Sequence, residues 1–336
     1  VGLVGQGLIK PFGRSAAGQS DVEFAPRRQR LGLGPGNKSE RPGQPVVIVG
    51  RDLPARLHRC RIPEKVEWQP LYAAEITMNP VLTFDLETIP DIAGIRRLHG
   101  IGPESDDREV ADMAMLMRRQ QTGGSDFMPL HLQRIVTISC ALREGDRFRI
   151  FSLSEPDMDE AEIVRRFFDG IEKYTPQIVS WNGGGFDLPV LHYRAMLHGV
   201  AAPRYWDQGE DDRDFKWNNY ISRYHNRHLD LMDLLALYQP RAYVGLDDFA
   251  KLLGFPGKLG MDGGKVWDAY QAGQATDIRD YCETDVANTY LVFLRFQLMR
   301  GALTREQYER EIALVRDTLT GIDAPHWQQF LGAWSA

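Results

Sequence analysis

Hydrophobic and polar positions follow two rhythms along this chain, one of period two and one near 3.6, and their alternation predicts an α/β protein. Val81, Leu82, Phe84 and Leu86 in "VLTFDLETIPD" (81–91) predict a buried strand near 81–87, with Asp85 and Glu87 in its middle. "RIVTISCALREGDRFRIFSLS" (134–154) reads as a hairpin turning at "EGD", and "QIVSWN" as a short buried strand ending at Asn182. Ile163, Phe167, Phe168 and Ile171 recur at helical intervals, with Asp159 placed to cap that helix. Further helices are expected near 107–120, 188–198, 230–239, 246–253, 276–299 and 304–320. The 276–299 helix is amphipathic, with Tyr281, Val286, Tyr290 and Phe293 among its apolar positions. The polar stretch 91–130 reads as an insertion, and no internal repeat is visible.

Residues 1–77 break this rhythm. They are rich in Gly, Pro, Arg and Ser, and only "PVVIVG" (45–50) resembles a strand. The chain opens on Val1 and its first methionine is Met78, three residues before the carboxylate-bearing strand. The expectation is that 1–77 is translated upstream sequence or a disordered extension, with Met78 the natural start; a genuine N-terminal tail is the alternative. Charge divides at the same place. Residues 1–77 hold 12 Lys and Arg against 7 Asp and Glu, a net of +5, which leaves −11 of the total of −6 on the remainder. A nucleic-acid partner would therefore meet a local basic groove and not a uniformly basic surface.

Composition narrows the class further. With 43% hydrophobic and 26% charged residues, the 336-residue chain has ample material for a core. Cys60, Cys140 and Cys282 are odd in number and widely spaced, which argues against a disulfide framework or structural zinc and suits a reducing cytoplasm. No apolar run approaches membrane-spanning length, and the N-terminus lacks a signal-peptide pattern.

The candidate chemistry lies in the acidic residues. On a strand, Asp85 and Glu87 project from one face. At about 4 Å their repulsion is roughly 4 kcal/mol at an effective dielectric near 20, and a divalent cation would turn it into attraction. "SWNGGGFDLPVLHYRA" sets Asp187 after a strand and a glycine turn, just before Pro189 opens a helix. "DYCETDVANTYLVF" sets Tyr281 and Asp285 four apart, on one helical face. Each has a bland reading taken alone: an edge-strand charge pair, a helix cap, a core aromatic, a solvated helix surface. Their joint order favours the functional one.

"FDLET", "NGGGFDLP" and "YCETD" resemble, in order and about 100 residues apart, the three motifs of DEDD-type 3′–5′ exonucleases. The third is of the Tyr-x-x-x-Asp subtype; the histidine subtype would want His at 280, where Asp280 stands. The likeness is closest to the proofreading-exonuclease domain of family-B DNA polymerases in its bacterial stand-alone form. It runs from about residue 78 to 300 and includes "LHLQRIVTISC", "FKWNNYISRYHNRHLDLMDLL" and "PGKLGMDGGKV". The resemblance implies a ribonuclease H-like α/β fold, with a mixed central β-sheet flanked by helices, over 78–300, followed by a C-terminal helical tail at 301–336. It implies two Mg²⁺ or Mn²⁺ ions per site, hard cations that suit carboxylate oxygens. Asp85 would bridge both ions, Glu87 and Asp285 would complete one site, Asp187 would hold the second ion, and Tyr281 would orient the attacking water. The implied activity is hydrolysis of single-stranded DNA from its 3′ end to nucleoside 5′-monophosphates, alone or with a repair or replication partner.

Substrate contacts are expected from several segments. Gly183–Gly185 would let backbone approach the terminal nucleotide between Asn182 and Phe186, and Thr88 follows the first motif. "FKWNNYISRYHNRH" (215–228) interleaves Lys216, Arg223 and Arg227 with Phe215, Trp217, Tyr220 and Tyr224, the mixture a single-strand channel uses; an ordinary packed loop is the alternative. Lys258 and Lys265 are weaker phosphate-contact candidates. "DGGKV" fails as a Walker motif because Val266 follows the lysine. His225 and His228 lack a third ligand nearby, and Asp230 reads equally as near the site or as part of a polar helix face with Asp233. Nothing in the motifs reads a 2′-hydroxyl, so an RNA exonuclease of the same fold stays open. So does a binding module with vestigial chemistry.

Overall fold

The computed structural model of the protein describes residues 80–155 and 158–335. The expectations for residues 1–77 lie outside the described residues. In chain order the elements are β1 (Val81–Pro90), α1 (Ile92–His99), α2 (Asp107–Thr122), β2 (Gln133–Glu144), β3 (Arg147–Ser152), α3 (Glu160–Tyr174), β4 (Gln177–Ser180) and α4 (Asp187–His198). They continue with α5 (Pro203–Trp206), β5 (His228–Asp230), α6 (Leu231–Leu235), α7 (Leu246–Leu252), α8 (Val266–Gln271), α9 (Ala275–Met299), α10 (Arg305–Thr320) and α11 (Pro325–Ala333).

Five strands form one mixed sheet in the order β3-β2-β1-β4-β5. β1 is central, antiparallel to β2 and parallel to β4, which is parallel to β5. A strand covered on both faces needs apolar side chains on both, and β1 supplies them. Leu82, Phe84 and Leu86 pack with Phe167, Phe168 and Ile171 of α3. On the opposite face Val81 joins Val286, Tyr290 and Phe293 of α9. Asp85 and Glu87 share the face that α9 covers. The β1–β2 register shifts between Glu87 and Thr88, a bulge beside the carboxylates that leaves Val136 without a partner in the ladder.

The β2–β3 hairpin turns at Gly145, whose φ of 57° is easy for glycine. Asp159 occupies the N-cap of α3, but its side chain makes no capping hydrogen bond. The strand expected to reach Asn182 stops at Ser180 because Asn182 turns left-handed at φ 66°. The helix expected over 230–239 stops at Leu235, and Leu237 and Tyr238 are left-handed too. The stretch 301–336, read as a helical tail, carries α10 and α11. Tyr308, Val315, Trp327 and Phe330 of these helices enter the same core as α9 and β1. Arg143 of β2 grips both oxygens of Glu311 on α10, at 2.8 and 2.7 Å. No helix among the described residues is long and apolar enough to cross a membrane.

Candidate active site

Three elements bring the four expected carboxylates to one place. β1 contributes Asp85 and Glu87, α4 opens on Asp187, and α9 presents Asp285 one turn beyond Tyr281. Glu87, Asp187 and Asp285 are 8%, 3% and 5% exposed, while Asp85 is partly open to solvent. Burial lifts Asp85 well above the usual carboxylate range, and Asp187, Glu87 and Asp285 add to the shift while Lys258 opposes it. Burial raises Glu87 in the same way, with Asp285 and Asp187 adding and Lys258 opposing. Burial raises Asp187 to about 7, although backbone N–H groups at Asp187 and Leu86 hold it back. Asp285 is also raised by burial, against hydrogen bonds from Lys258 and Tyr281.

Among the described residues, Lys258 is the cation that meets the cluster. Its ammonium lies 3.2 Å from Asp285 Oδ2 and donates to the Tyr281 hydroxyl. Burial pulls this lysine down, but Asp285, Asp85 and Glu87 outweigh that and keep it charged. The loop carrying it is pinned twice. Asp247 Oδ1 accepts from the Lys258 N–H at 2.7 Å, and the Asn288 amide pairs with both backbone groups of Gly257, at 3.0 and 2.9 Å. Asn288 lies three residues beyond Asp285 on α9, so one helix carries a site carboxylate and the anchor of the lysine loop. Burial, then Asp285, Glu87 and Asp85, raise the Tyr281 hydroxyl, which therefore stays protonated.

Asp187 is aimed by the glycine turn. Asp230 Oδ1 accepts from Asn182 N at 3.0 Å and Oδ2 from Gly184 N at 2.8 Å, which straps the turn to the end of β5. A Cβ on Gly183 would strike Ser180, so the turn tolerates no side chain there. Asp230 also caps α6 through Met232 N and Asp233 N, so its carboxylate is fully engaged. His228 hydrogen-bonds Ser180 Oγ at 2.8 Å, and burial lowers it to about 4. Cys282 packs beneath the β1 carboxylates, 3.4 Å from the Asp85 carbonyl and 3.8 Å from its Oδ2. Burial, then Asp85 and Glu87, hold it as a thiol.

The expected substrate contacts divide. Phe186 stands beside Asp187 and meets Phe127 of the insertion, ring centroids 5.7 Å apart. Thr88 Oγ1 donates to Gln133 at 2.9 Å. Trp217 and Tyr224 are 77% and 78% exposed, each with a cation over its ring, Lys216 and Arg223 respectively. Tyr220 and Arg227 belong to the packing of the lobe instead. Tyr220 is buried, stacked on Tyr205 at 5.4 Å, and donates to the Pro176 carbonyl. Arg227 sits 3.9 Å over Phe215. Tyr220 therefore offers no free face to a base, and Arg227, expected at a phosphate, donates to the Asn218 carbonyl. Lys265 is exposed and pairs with Asp262 at 3.3 Å, unlike Lys258, which the fold carries into the carboxylate cluster. Sequence reasoning missed Phe127, Cys282 and Asn288; the helical spacing of Asn288 from Asp285 was the one signal available.

A family described as "Predicted 3'-5' exonuclease related to the exonuclease domain of PolB" matches residues 125–334, more than half of the chain. The chain belongs to that family, and it is a 3′–5′ exonuclease of the ribonuclease H-like α/β class. DNA polymerase 1 of Sulfurisphaera ohwakuensis is 28% identical to it over 133 residues, which make up 39% of this chain and 13% of that polymerase. The family match takes in Asp187, Lys258, Tyr281 and Asp285; Asp85 and Glu87 lie upstream of it.

Exonuclease domains of this type use divalent metal ions, and the residues present fit that use. Asp187 Oδ1 and Asp285 Oδ1 are buried without a hydrogen-bond partner, an expensive condition for a carboxylate. Asp85 and Glu87 offer hard carboxylate oxygens within 4.8 Å of one another, and the Cys282 sulfur that lies as close is a soft donor held as a thiol.

Proposed function

We propose that this exonuclease acts on single-stranded DNA with two Mg²⁺ or Mn²⁺ ions and releases nucleoside 5′-monophosphates. The carrying observation is the imbalance of charge: four converging carboxylates, two with orphaned buried oxygens, face one lysine. Asp85 feels the other three carboxylates and would be shared between the ions; Glu87 and Asp285 would complete one site and Asp187 the other. When bound, the ions would lower the pKa of the attacking water and shield the charge gathering on the phosphate and the departing 3′ oxygen. In the reaction the water oxygen joins phosphorus, the P–O3′ bond breaks, and the shortened strand keeps a 3′-hydroxyl.

Tyr281 works as a neutral hydrogen-bond donor. Lys258 donates to its oxygen, and the phenolic proton, which meets Asp285 here, would turn to orient the attacking water once Asp285 holds an ion. Lys258 thus positions Tyr281 and offers a positive charge near the scissile phosphate. The Phe127–Phe186 pair beside Asp187 would stack the terminal base, and Trp217 and Tyr224 with Lys216 and Arg223 would hold nucleotides farther along. A role in repair or replication with a partner protein, in a reducing cytoplasm, belongs to the same proposal. It rests on the polymerase likeness and on the free, buried Cys140 and Cys282.

The test uses 5′-labelled single-stranded DNA and RNA of matched sequence with Mg²⁺, Mn²⁺ or EDTA. A metal-dependent ladder shortening from the 3′ end, stronger on DNA, is expected. Faster shortening of RNA would reassign the substrate, and substrate held but left intact with every ion would favour a binding module.

A further inference from the structure

Beyond Glu87, the end of β1 opens into a cleft of about 620 Å³ that the carboxylate site does not use. Arg134, near the start of β2, stands opposite Ile89 in the ladder. Ile89 lies two residues past Glu87, so Arg134 sits on the carboxylate face roughly 7 Å farther along the strand. Its guanidinium is half-buried and makes no hydrogen bond or ion pair among the described residues. Its charge acts on Asp91, but its N–H donors find no acceptor among the described residues, and an anion in the cleft could take them.

None of the acids on the walls, Asp159 and Glu160 included, accepts a hydrogen bond from Arg134. Asp91, the carboxylate nearest in effect, is held by Arg194 at 2.6 Å and by Gly94 N at 3.0 Å. Asp107 is taken by Arg96 at 2.8 Å. Arg97, exposed on the same cleft, also has no partner among the described residues. Trp267 and Tyr270 of α8 line the same cleft, their ring planes 13° apart with centroids at 6.2 Å. Arg134 and Tyr270 continue into an adjoining hollow of about 460 Å³ that reaches Thr137, the ladder partner of Glu87. Two guanidiniums without a hydrogen-bond acceptor among the described residues and two flat aromatic rings line one cleft, and they match an anion joined to a planar ring.

We propose that this cleft is a nucleotide-binding subsite, with Arg134 and Arg97 holding phosphate and the Trp267–Tyr270 wall stacking the base. Its occupant, a nucleotide within the strand or the released 5′-monophosphate, rests on the exonuclease reading above; binding itself does not require cleavage.

The test is therefore run on the full chain in EDTA. Equilibrium dialysis would follow labelled thymidine 5′-monophosphate in one arm and a labelled five-residue oligothymidylate in the other. Arg134→Gln should weaken binding roughly ten-fold and Arg97→Ala about three-fold, while the Mn²⁺ uptake of the carboxylate site stays at the wild-type level. Losses in both arms identify the released mononucleotide as an occupant, and a loss in the oligonucleotide arm alone identifies the strand. No binding by the wild type, or equal binding by wild type and variants, overturns the subsite. Arg97 is exposed, so its variant keeps the test decisive if Arg134→Gln fails to fold. An exonuclease that cleaves normally yet shows equal binding refutes only the subsite; binding without any metal-dependent cleavage refutes only the exonuclease reading.

Discussion

Two buried groups of acidic residues among the described residues have opposite electrostatic characters. In the first, Asp91 and Glu160 close around Arg194, with His198 2.8 Å from Glu160. Every carboxylate oxygen there is engaged: Asp91 by Arg194 and Gly94 N, Glu160 by Arg194, His198 and Ile135 N. Burial works against Asp91, yet the Arg194 and Gly94 hydrogen bonds overcome it and hold its carboxyl below the usual range. In the second, Asp85, Glu87, Asp187 and Asp285 share Lys258, all four are raised, and two oxygens have no partner. Burial is common to both, so burial alone does not mark a functional acid. What separates them is compensation. The first group has each of its carboxylate oxygens hydrogen-bonded from within the chain, with Arg134 adding its charge at Asp91, and ties α3, α4 and the end of β1 together; the second has orphaned oxygens and is left short of positive charge, as a cation-binding centre must be.

The largest expected effect separates the two directly. Asp85→Asn or Asp285→Asn should lower cleavage by roughly three orders of magnitude or more, with metal-free stability unchanged or raised because repulsion is relieved. Arg194→Met should instead cost about 3 to 5 kcal/mol of stability by stranding two buried carboxylates. Urea unfolding beside a cleavage assay on each variant checks both halves, and matching losses of stability would erase the distinction. Next in size, Tyr281→Phe should slow cleavage about a hundred-fold while keeping metal uptake, and Lys258→Met should slow it while raising the Asp285 pKa further. Unaltered turnover in Tyr281→Phe would remove Tyr281 from the mechanism.

A subtler contrast comes from pH. Asp187 is raised to about 7 in the folded protein, so the stability it contributes without metal is present below about pH 4 and lost as pH rises through 7. A bound cation should restore it, and Mn²⁺ should raise the melting temperature more at pH 8 than at pH 5. Asp91, held low, behaves oppositely: its contribution is present above about pH 4 and lost as pH falls through its depressed value. Equal Mn²⁺ increments at the two pH values would contradict the assignment. Smallest, Phe127→Ala should raise KM for single strands about five-fold through lost stacking and leave kcat and metal uptake as they were; an unchanged KM would detach Phe127 from the substrate.

Legibility in the sequence followed the same physical divide. Asp85 with Glu87, and Tyr281 with Asp285, are related by the fixed periods of a strand and a helix, so local pattern placed each pair on one face. Lys258 obeys no period relative to Tyr281; it arrives on a loop docked by Asn288 and Asp247, contacts that only the folded chain reveals. Asp230 likewise carried no sign that it would strap the Asn182–Gly184 turn. In the 215–228 segment the absence of regular structure hid which aromatics face inward, and Tyr220 went to the core while Trp217 and Tyr224 stayed out. Among the short helices, α6 and α7 fell inside expected segments while α1, α5, α8 and α11 did not, because under three turns the period is too weak to decide either way.

The measurement that bears most directly on the central claim is a count of Mn²⁺ bound by the purified chain, read from the paramagnetic resonance of the free ion. The wild type and Arg194→Lys should take up Mn²⁺ to the same extent, approaching two ions per chain at saturation, and Asp85→Asn and Asp285→Asn should each lose most of that uptake. A wild type that binds no Mn²⁺, or aspartate variants that bind as much as the wild type, would contradict the reading of the uncompensated quartet as the metal-binding centre.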